Sequence, residues 1–156
     1  MKTRGGDDSP RYVALLQLLR TADAVWNASR IFFARWDLSP SQFNVLNLLR
    51  FHPAGQSQTE LSRQLIMHRS NVTGLVDRLE RRGLVHRQEV AGDRRSYRVT
   101  LSAQGAALLR GILPAYYAAA ERVWEELPAS RLSALTDDLL QAAQEAERIS
   151  EEVAKR

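Results

Sequence analysis

The sequence predicts a mainly α-helical protein with one small β-hairpin inserted among its helices. Three observations lead to this fold class. Apolar residues recur with helical spacing before residue 82 and again after residue 102. From Val85 to Leu101 the pattern changes to a period of two, interrupted by the turn-forming sequence Ala91-Gly92-Asp93. Two helical segments are preceded by a serine with a glutamine or glutamate three positions later, which is a signature of helix N-termini.

The composition is that of an ordinary globular protein. The chain has 156 residues, of which 44% are hydrophobic and 26% charged, so it is long enough for one compact domain or two small lobes. No segment approaches the ~20 apolar residues of a membrane span, and no leader typical of secretion is present. We therefore expect a cytoplasmic protein without membrane association. The absence of cysteine excludes disulfides and thiol-based oxidant sensing.

Charge is distributed unevenly along the chain. Residues 57–100 contain nine arginines against five acidic residues, and residues 1–56 contain seven basic against four acidic side chains. Residues 101–156 reverse the balance, with six basic against nine acidic side chains. This polarity indicates one lobe that meets phosphate groups and another lobe that does not.

The first predicted helix is long. Residues 1–9 have no apolar anchor and are interpreted as a mobile arm. The helix follows from about Arg11 to Arg35, with Pro10 in its first turn. Two apolar stripes follow helical steps along it, whereas a single core needs only one stripe. The second stripe indicates contact with a second copy of the chain; a long helix laid across a wide core is the alternative.

Two capping boxes mark the starts of the next two helices. The first, Ser39-Pro40-Ser41-Gln42, begins a helix that ends before Pro53. The second, Ser57-Gln58-Thr59-Glu60, begins a short helix, and residues 66–68 form the turn into a third. Two helices separated by three or four residues form the helix-turn-helix arrangement.

The helix after this turn is strongly amphipathic. Its apolar stripe consists of Val72, Leu75, Val76 and Leu79. The opposite face carries short polar side chains followed by arginines, which suits insertion into a DNA groove lined by base edges and phosphates. We expect Asp77 to pair with Arg81 one turn later and the helix to end at Gly83.

Three motifs in this region occur in a fixed order: Asp77-Arg78-Leu79-Glu80, Gly83-Leu84-Val85 and Asp93-Arg94-Arg95. In this combination the sequence resembles the multiple antibiotic resistance regulator (MarR) family of bacterial transcription factors, from about Tyr12 to the C-terminus. The resemblance implies a winged helix-turn-helix DNA-binding lobe over residues 37–101. It also implies a helical dimerisation lobe made of residues 10–36 and 102–156.

Two further helices are predicted after the hairpin. Ser102 caps a helix from about Ala103 to Glu126, in which Pro114 is expected to produce a kink. The last helix starts near Ser130 and combines near-heptad apolar spacing with an acidic outer face. Such helices need a partner surface, which a second copy of the chain would supply.

The resemblance implies that a homodimer, most simply a repressor, contacts double-stranded DNA. The expected contact residues are Arg69, Ser70, Asn71, Thr73 and Arg78 in the recognition helix, Arg94 and then Arg95 in the wing, and Ser57 and Thr59 near phosphates at a helix start. Two recognition helices would enter successive major grooves about 34–36 Å apart, so the operator is expected to be a pseudo-palindrome.

Aromatic residues are concentrated at the end of the first helix and the start of the second. In the family that the sequence resembles, small aromatic or anionic effectors bind in this region and modulate DNA binding. The effector site so implied comprises Trp26, Arg30, Phe33, Trp36 and Phe43, with Arg30 placed to meet a carboxylate. A plain aromatic core explains the same residues.

No set of residues suits catalysis or metal binding. His52, His68 and His86 lie in three different elements without a second ligand at metal spacing, and no glycine-rich phosphate loop follows a strand. We therefore expect no enzyme activity, no metal and no cofactor. Two other functions remain open: an accessory domain of an enzyme, and a winged-helix module that binds protein without sequence-specific DNA binding.

Overall fold

The structure is a computed structural model, and it describes residues 9–65, 72–90 and 93–155, with the backbone alone at residue 90 and residues 93–96. These residues form six helices and three strands, numbered in chain order. The helices are α1 Pro10–Ala34, α2 Pro40–Leu49, α3 Gln58–Gln64, α4 Val72–Arg81, α5 Ala103–Val123 and α6 Ala129–Ala154. The strands are β1 Gln56–Ser57, β2 Val85–Val90 and β3 Asp93–Leu101. The predicted fold class, mainly helical with a β-hairpin, is confirmed.

The chain divides into two compact units, Met1–Leu109 and Arg110–Arg156. The first unit contains α1 to α4, all three strands and the start of α5, and the second contains the rest of α5 and α6. Among the helices described, none has the length and apolar character needed to cross a membrane. The functional division into a DNA-binding lobe and a dimerisation lobe stays a prediction.

Both predicted capping boxes are present. At the start of α2, the Gln42 amide donates to Ser39 Oγ at 3.2 Å, and the Ser39 amide donates to Gln42 Oε1 at 2.8 Å. At the start of α3, the Glu60 amide donates to Ser57 Oγ at 3.2 Å, and the Ser57 amide donates to Glu60 Oε2 at 2.7 Å. These bonds satisfy amides that have no partner within a helix, and they set where both helices begin.

The core of the first unit lies where α2 and α4 meet the hairpin. The apolar stripe predicted for α4 is buried throughout: Val72, Leu75, Val76 and Leu79. It is joined by the apolar side of α2 and by Val85 and Val99 from the two long strands, which are fully buried. Each such side chain contributes about 1.5–3 kcal/mol on burial, so this cluster fixes the face that α4 turns outward.

The sheet has the strand order β1-β3-β2, with antiparallel pairing throughout. The sequence did not predict β1, which pairs Gln56 with Val99 and Ser57 with Arg98. Before it, Gly55 has φ 77°, and a Cβ there would lie 2.8 Å from the Val99 carbonyl oxygen, so only glycine fits this approach. Because Ser57 also caps α3, β1 joins the hairpin directly to the helix-turn-helix segment.

The start of α5 is packed closely against the end of α4. Ser102 Oγ accepts from the Gly105 amide at 2.9 Å, as predicted for an N-cap, and donates to the Gly83 carbonyl at 2.6 Å. A Cβ at Gly105 would lie 2.1 Å from the Leu84 carbonyl oxygen. Further along, α5 continues through Pro114 without a break and ends at Val123, three residues earlier than the sequence suggested.

Candidate nucleic-acid interface and adjoining cavity

The exposed face of α4 carries the polar residues that its buried stripe leaves on the outside. Thr73 and Arg78 are exposed, and Thr73 Oγ1 donates to Gln58 Oε1 at 3.4 Å. This bond places the first turn of α3, which holds Ser57 and Thr59, beside the first turn of α4. The structure thus brings three of the expected contact residues together, Ser57, Thr59 and Thr73, while Arg78 lies further along the exposed face of α4. Arg69, Ser70 and Asn71 lie outside the described residues.

The first turn of α3 carries a negative charge of its own. The backbone amide of Ser57 lowers the pKa of the Glu60 carboxyl, followed by the Ser57 hydroxyl and by Arg98 and His52. Glu60 is therefore ionised at neutral pH beside Ser57, whose amide and Oγ are already used in the capping box. Exposed Thr59 is the better placed of the two to reach a phosphate.

Arg87 of β2 connects the hairpin to the outer side of α4. Its guanidinium donates to Asp77 Oδ1 and Glu80 Oε2, its backbone amide donates to Glu80 Oε1 at 3.1 Å, and its Cζ lies 4.9 Å from the ring centre of Tyr97. Burial opposes the charged form, but Asp77, Tyr97 and Glu80 outweigh it and raise the pKa of Arg87. The side chain is 23% exposed, so the cluster holds the two elements together with limited solvent screening.

The predicted pair of Asp77 with Arg81 is wrong. The Asp77 carboxylate is taken by Arg87, and Arg81 Nε instead donates to the Asp77 backbone carbonyl at 3.3 Å. The helical spacing of Asp77 and Arg81 permits the pair, but Arg87 donates from one guanidinium nitrogen to Asp77 and from the other to Glu80 at the same time. The Asp77 carboxylate therefore holds the hairpin through Arg87 and does not orient Arg81.

Arg98 and Arg82 make comparable contacts between elements. Arg98 of β3 donates to the carbonyl oxygens of Ala54 at 3.0 Å and Gly55 at 2.6 Å. Arg82, directly after α4, donates to the Trp36 carbonyl at 3.2 Å and to the Asp37 carbonyl. Three of the arginines that make this region basic thus bond within the protein. The local arginine count overstates the charge that is available to an external phosphate.

Arg94 and Arg95 belong to β3 near the outer end of the hairpin, where Val90 pairs with Asp93 across a β-bulge between Glu89 and Val90. Their backbone is thus placed at the tip, as the alternating pattern suggested. Their side chains lie outside what the structure describes.

A cavity of about 440 Å³ opens between α1 and the start of α2. Three of its lining residues, Trp26, Arg30 and Ala34, follow one face of α1 at successive turns. The link between the helices and the first turn of α2 complete the wall: Asp37, Leu38, Ser39, Pro40, Ser41 and Gln42. An arginine and the positive end of the α2 dipole therefore face the same space, together with an indole ring.

The remaining residues of the expected effector site lie elsewhere. Phe33 and Phe43 are 2% and 1% exposed, and their rings stack with centres 4.2 Å apart. The rings of Trp36 and Phe32 pack together with their centres 5.3 Å apart. Arg35 lies over Trp36, with its Cζ 4.7 Å from the centre of the Trp36 ring. Of the five residues, Trp26 and Arg30 line the cavity, whereas Phe33 and Phe43 belong to the core beside it.

Comparison with known proteins identifies this architecture. The model of the MarR family matches residues 36–96, which span α2 to the hairpin tip. The structure of the repressor CouR, titled as bound to a 23-mer DNA duplex, is 30% identical, covers 92% of this chain and 99% of its own, and superposes with a TM-score of 0.75. A MarR-family regulator from Rhodococcus sp. RHA1 is 25% identical over 90% of this chain and 96% of its own, with a TM-score of 0.74.

The chain belongs to the MarR family. MarR proteins are transcriptional regulators, which are not enzymes, and the chain is accordingly a MarR-family transcriptional regulator. A curated relative, the transcriptional regulator PecS from Dickeya dadantii (strain 3937), is 32% identical over 83 residues, or 52% of this chain. The chain spans half the length of PecS.

Sequence reasoning missed the internal roles of Arg82, Arg87 and Arg98 in this MarR protein. One signal was available in the sequence: all three arginines lie outside α4, Arg82 directly after it and the other two in strands. They therefore do not belong to the exposed helix face that was expected to contact DNA. Among the described residues, no group of three or more histidines or acidic side chains is placed to hold a metal.

Proposed function

We propose that this MarR protein regulates transcription by binding a pseudo-palindromic operator as a homodimer, acting as a repressor. The observation that carries the proposal is the exposed face of α4. Its buried stripe, α3 and the Arg87 cluster hold it in one orientation, so that Thr73 and Arg78 face outward. CouR, which has a similar architecture and whose structure is titled as bound to a 23-mer DNA duplex, supports DNA binding by this protein. A regulator acts where its operator lies, and the proposed place of action is the cytoplasm.

The contact set that we propose keeps the sequence prediction. Thr59, Thr73 and Arg78 provide exposed polar or basic groups, and Ser57, whose Oγ accepts in the capping box of α3, keeps its hydroxyl hydrogen as a donor. The hairpin tip brings Arg94 and Arg95 to a second groove. Arg69, Ser70 and Asn71 precede α4 and would enter the major groove first.

Dimerisation is supported by apolar surface that a single chain leaves in water. On α1 the large apolar side chains of Tyr12, Leu15, Leu19 and Val25 are 41–58% exposed. On α6, all of which is described, no residue is buried. Long amphipathic helices gain most of their stability from packing of the apolar face, so both helices need a second surface. A second copy of the chain supplies it in the proposal.

Ligand modulation is supported by the cavity between α1 and α2. Arg30 and the N-terminal end of α2 favour a negative group there, and Trp26 offers an aromatic surface. We infer that a small aromatic carboxylate binds in this cavity and changes the affinity for DNA.

The test of DNA binding is a salt titration. A duplex selected by the protein from a random pool is titrated between about 50 and 200 mM salt, and log K should fall linearly with log salt. Arg94→Ala and Arg78→Ala should each reduce the magnitude of this slope by about 1. Arg148→Ala removes the same charge from an exposed ion pair on α6 and should leave the slope unchanged.

Two results would contradict the proposal. One is a protein that shows no affinity for any duplex at low salt. The other is binding without preference for the selected sequence over a shuffled one, because phosphate contacts alone do not read bases.

A further inference from the structure

Arg82 directly follows α4, and its side chain donates to the backbone of Asp37, which lines the cavity between α1 and α2. We propose that Arg82 is the positioning residue through which occupancy of the α1–α2 cavity alters the orientation of α4, and hence the affinity for DNA. This inference rests on the proposed function and specifies how that function is regulated. Its steps use contacts within the first unit of the chain.

The first step is the way in which α1 ends. The Asp37 amide donates to the Ala34 carbonyl at 3.0 Å, and the Leu38 amide donates to the Phe33 carbonyl at 3.2 Å. These are the two bonds of a Schellman motif, whose left-handed position Asp37 occupies with φ 53°. Asp37 is the one residue other than glycine with positive φ in the described chain. The turn therefore holds a left-handed conformation that aspartate tolerates better than most residues other than glycine.

The second step is what holds this turn. Carbonyl groups at the end of a helix lack helical partners, and the guanidinium of Arg82 donates to those of Trp36 and Asp37. Its positive charge also complements the negative end of the α1 dipole. The Asp37 carboxylate lies 3.6 Å from Arg82 but is 95% exposed, so that ion pair adds little. Arg82 thus binds the backbone of the turn.

The third step is the position of Arg82 itself. α4 ends in the same motif as α1, with the Gly83 amide donating to the Glu80 carbonyl at 2.8 Å and the Leu84 amide to the Leu79 carbonyl at 3.0 Å. Gly83 takes the left-handed position with φ 68°. Arg82 is therefore the residue at which α4 turns into the hairpin, and its fork joins the ends of two helices.

The consequence follows from the cavity wall. Asp37, whose carbonyl Arg82 binds, lines the cavity together with Ala34, whose carbonyl anchors the turn. A group that enters the cavity acts on this turn, and a shift of the turn changes the contacts of Arg82. Since α4 is a rigid helix packed on one face, a displacement at its end moves its DNA-facing residues as well.

The test exploits the absence of cysteine. Ala34→Cys creates a single thiol in the cavity wall. Ellman's reagent then attaches one 2-nitro-5-thiobenzoate group through a disulfide and releases a second, coloured one that reports the stoichiometry. An aromatic carboxylate thereby occupies the cavity whatever the natural ligand is. The measured quantity is the ratio of Kd for the selected duplex after labelling to Kd before it, with reversal by dithiothreitol.

The expected ratio in the Ala34→Cys protein departs from one by about tenfold, within the usual range of about 5–150-fold for coupled sites. Adding Arg82→Gln should bring it within about twofold of one. Arg81→Gln is the matched control, because it removes the same charge one residue earlier from a side chain that bonds to its own helix. If Arg81→Gln weakens a direct contact with DNA, it raises Kd equally before and after labelling, so the ratio of the two is unchanged. The Arg81→Gln protein should therefore keep the tenfold effect of labelling. Asp37→Asn, which leaves both carbonyls in place, should also keep it.

Circular dichroism establishes that each variant is folded. Should Arg82→Gln not fold, Arg82→Lys replaces it, because lysine keeps the charge but loses the fork, and the ratio must still move markedly toward one. The inference is overturned if labelling leaves Kd unchanged in the Ala34→Cys protein, or changes it equally with and without Arg82. If the unlabelled protein does not bind duplex DNA, the proposed function fails first and the inference fails with it.

Discussion

Arg87 shows how a single side chain sets the geometry of the DNA-facing region. It bonds to two carboxylates of α4 and lies against Tyr97 of β3, so three elements meet at one guanidinium. With 23% of its side chain exposed, the cluster is screened less than a surface pair. Removing the arginine would leave Asp77 and Glu80 close together without a positive charge between them.

We predict that Arg87→Gln lowers the free energy of unfolding by about 1–3 kcal/mol, because charge-assisted bonds are lost and two acidic groups are left facing each other. Arg148→Gln is the matched control. Arg148 also bridges two carboxylates, Glu145 and Glu152, but is 60% exposed, so its loss should change stability by less than about 0.5 kcal/mol. Urea unfolding of the two variants at equal protein concentration measures the difference. Equal losses would show that the Arg87 cluster stabilises no more than a surface pair.

At the scale of elements, the two capping boxes differ in one chemically useful way. The box of α2 closes with neutral Gln42, whereas the box of α3 closes with Glu60. Hydrogen bonds from Ser57 hold the pKa of Glu60 below its ordinary value of 4.5. The folded state therefore binds a proton at Glu60 less readily than the unfolded state does. The stabilisation is complete above pH 4.5 and is lost as the pH falls through the lower folded pKa.

Accordingly, the destabilisation caused by Glu60→Ala should shrink as the pH is lowered below 4.5. The destabilisation caused by Gln42→Ala should stay constant over the same range, because no proton is bound or released at that box. Thermal unfolding of the three proteins across this range measures both trends. Parallel pH profiles for the two variants would show that the charge of Glu60 does not contribute to the cap.

Two glycines on α5 provide a second matched comparison. A Cβ at Gly105 would lie 2.1 Å from the Leu84 carbonyl oxygen, whereas a Cβ at Gly111 meets nothing within 4 Å. Gly105→Ala should therefore force α5 away from the end of α4 and destabilise the protein by more than about 2 kcal/mol. Gly111→Ala should stabilise it by about 0.5–1 kcal/mol through the higher helix propensity of alanine. Chemical denaturation measures both; a neutral Gly105→Ala would contradict the close approach.

At the scale of the whole molecule, the uneven charge along the chain indicates a nucleic-acid partner, whereas the exposed apolar surface indicates a second copy of the chain. Residues 1–100 carry the basic excess, and residues 101–156 are acidic. The apolar side chains of α6 remain in water in a single chain. A like-charged helix can still pair with its copy when apolar contacts dominate, as they do in coiled coils. This separation keeps the apolar stripe of α6 apart from the proposed phosphate contacts in the sequence.

We predict that the protein sediments as a dimer and that Ile149→Asp raises the dimer dissociation constant at least about tenfold, or 1.4 kcal/mol. Ile149 is 55% exposed in the single chain and belongs to the apolar stripe of α6. Ser150→Asp adds the same charge at the next residue, which is also exposed, and should leave the dimer intact. Sedimentation equilibrium distinguishes these outcomes. A monomer at all concentrations would contradict the homodimer and leave the apolar stripe unexplained.

Local patterns in the sequence were sufficient for the helices, both capping boxes, the buried stripe of α4, the end of α4 at Gly83 and the hairpin. Each of these depends on residues within one or two turns of each other, where spacing alone decides which groups meet. The family followed from three short motifs in order, and comparison confirmed it.

Only the tertiary structure decided which partner Asp77 takes, how β1 joins the hairpin to α3, and that Phe33 and Phe43 pack in the core while Trp26 and Arg30 face a cavity. It alone showed that Arg82 reaches Trp36, 46 residues away in the chain. Spacing along a helix cannot report such contacts, because they depend on the angles at which separate elements pack. Those angles are set by the whole core and not by any one segment.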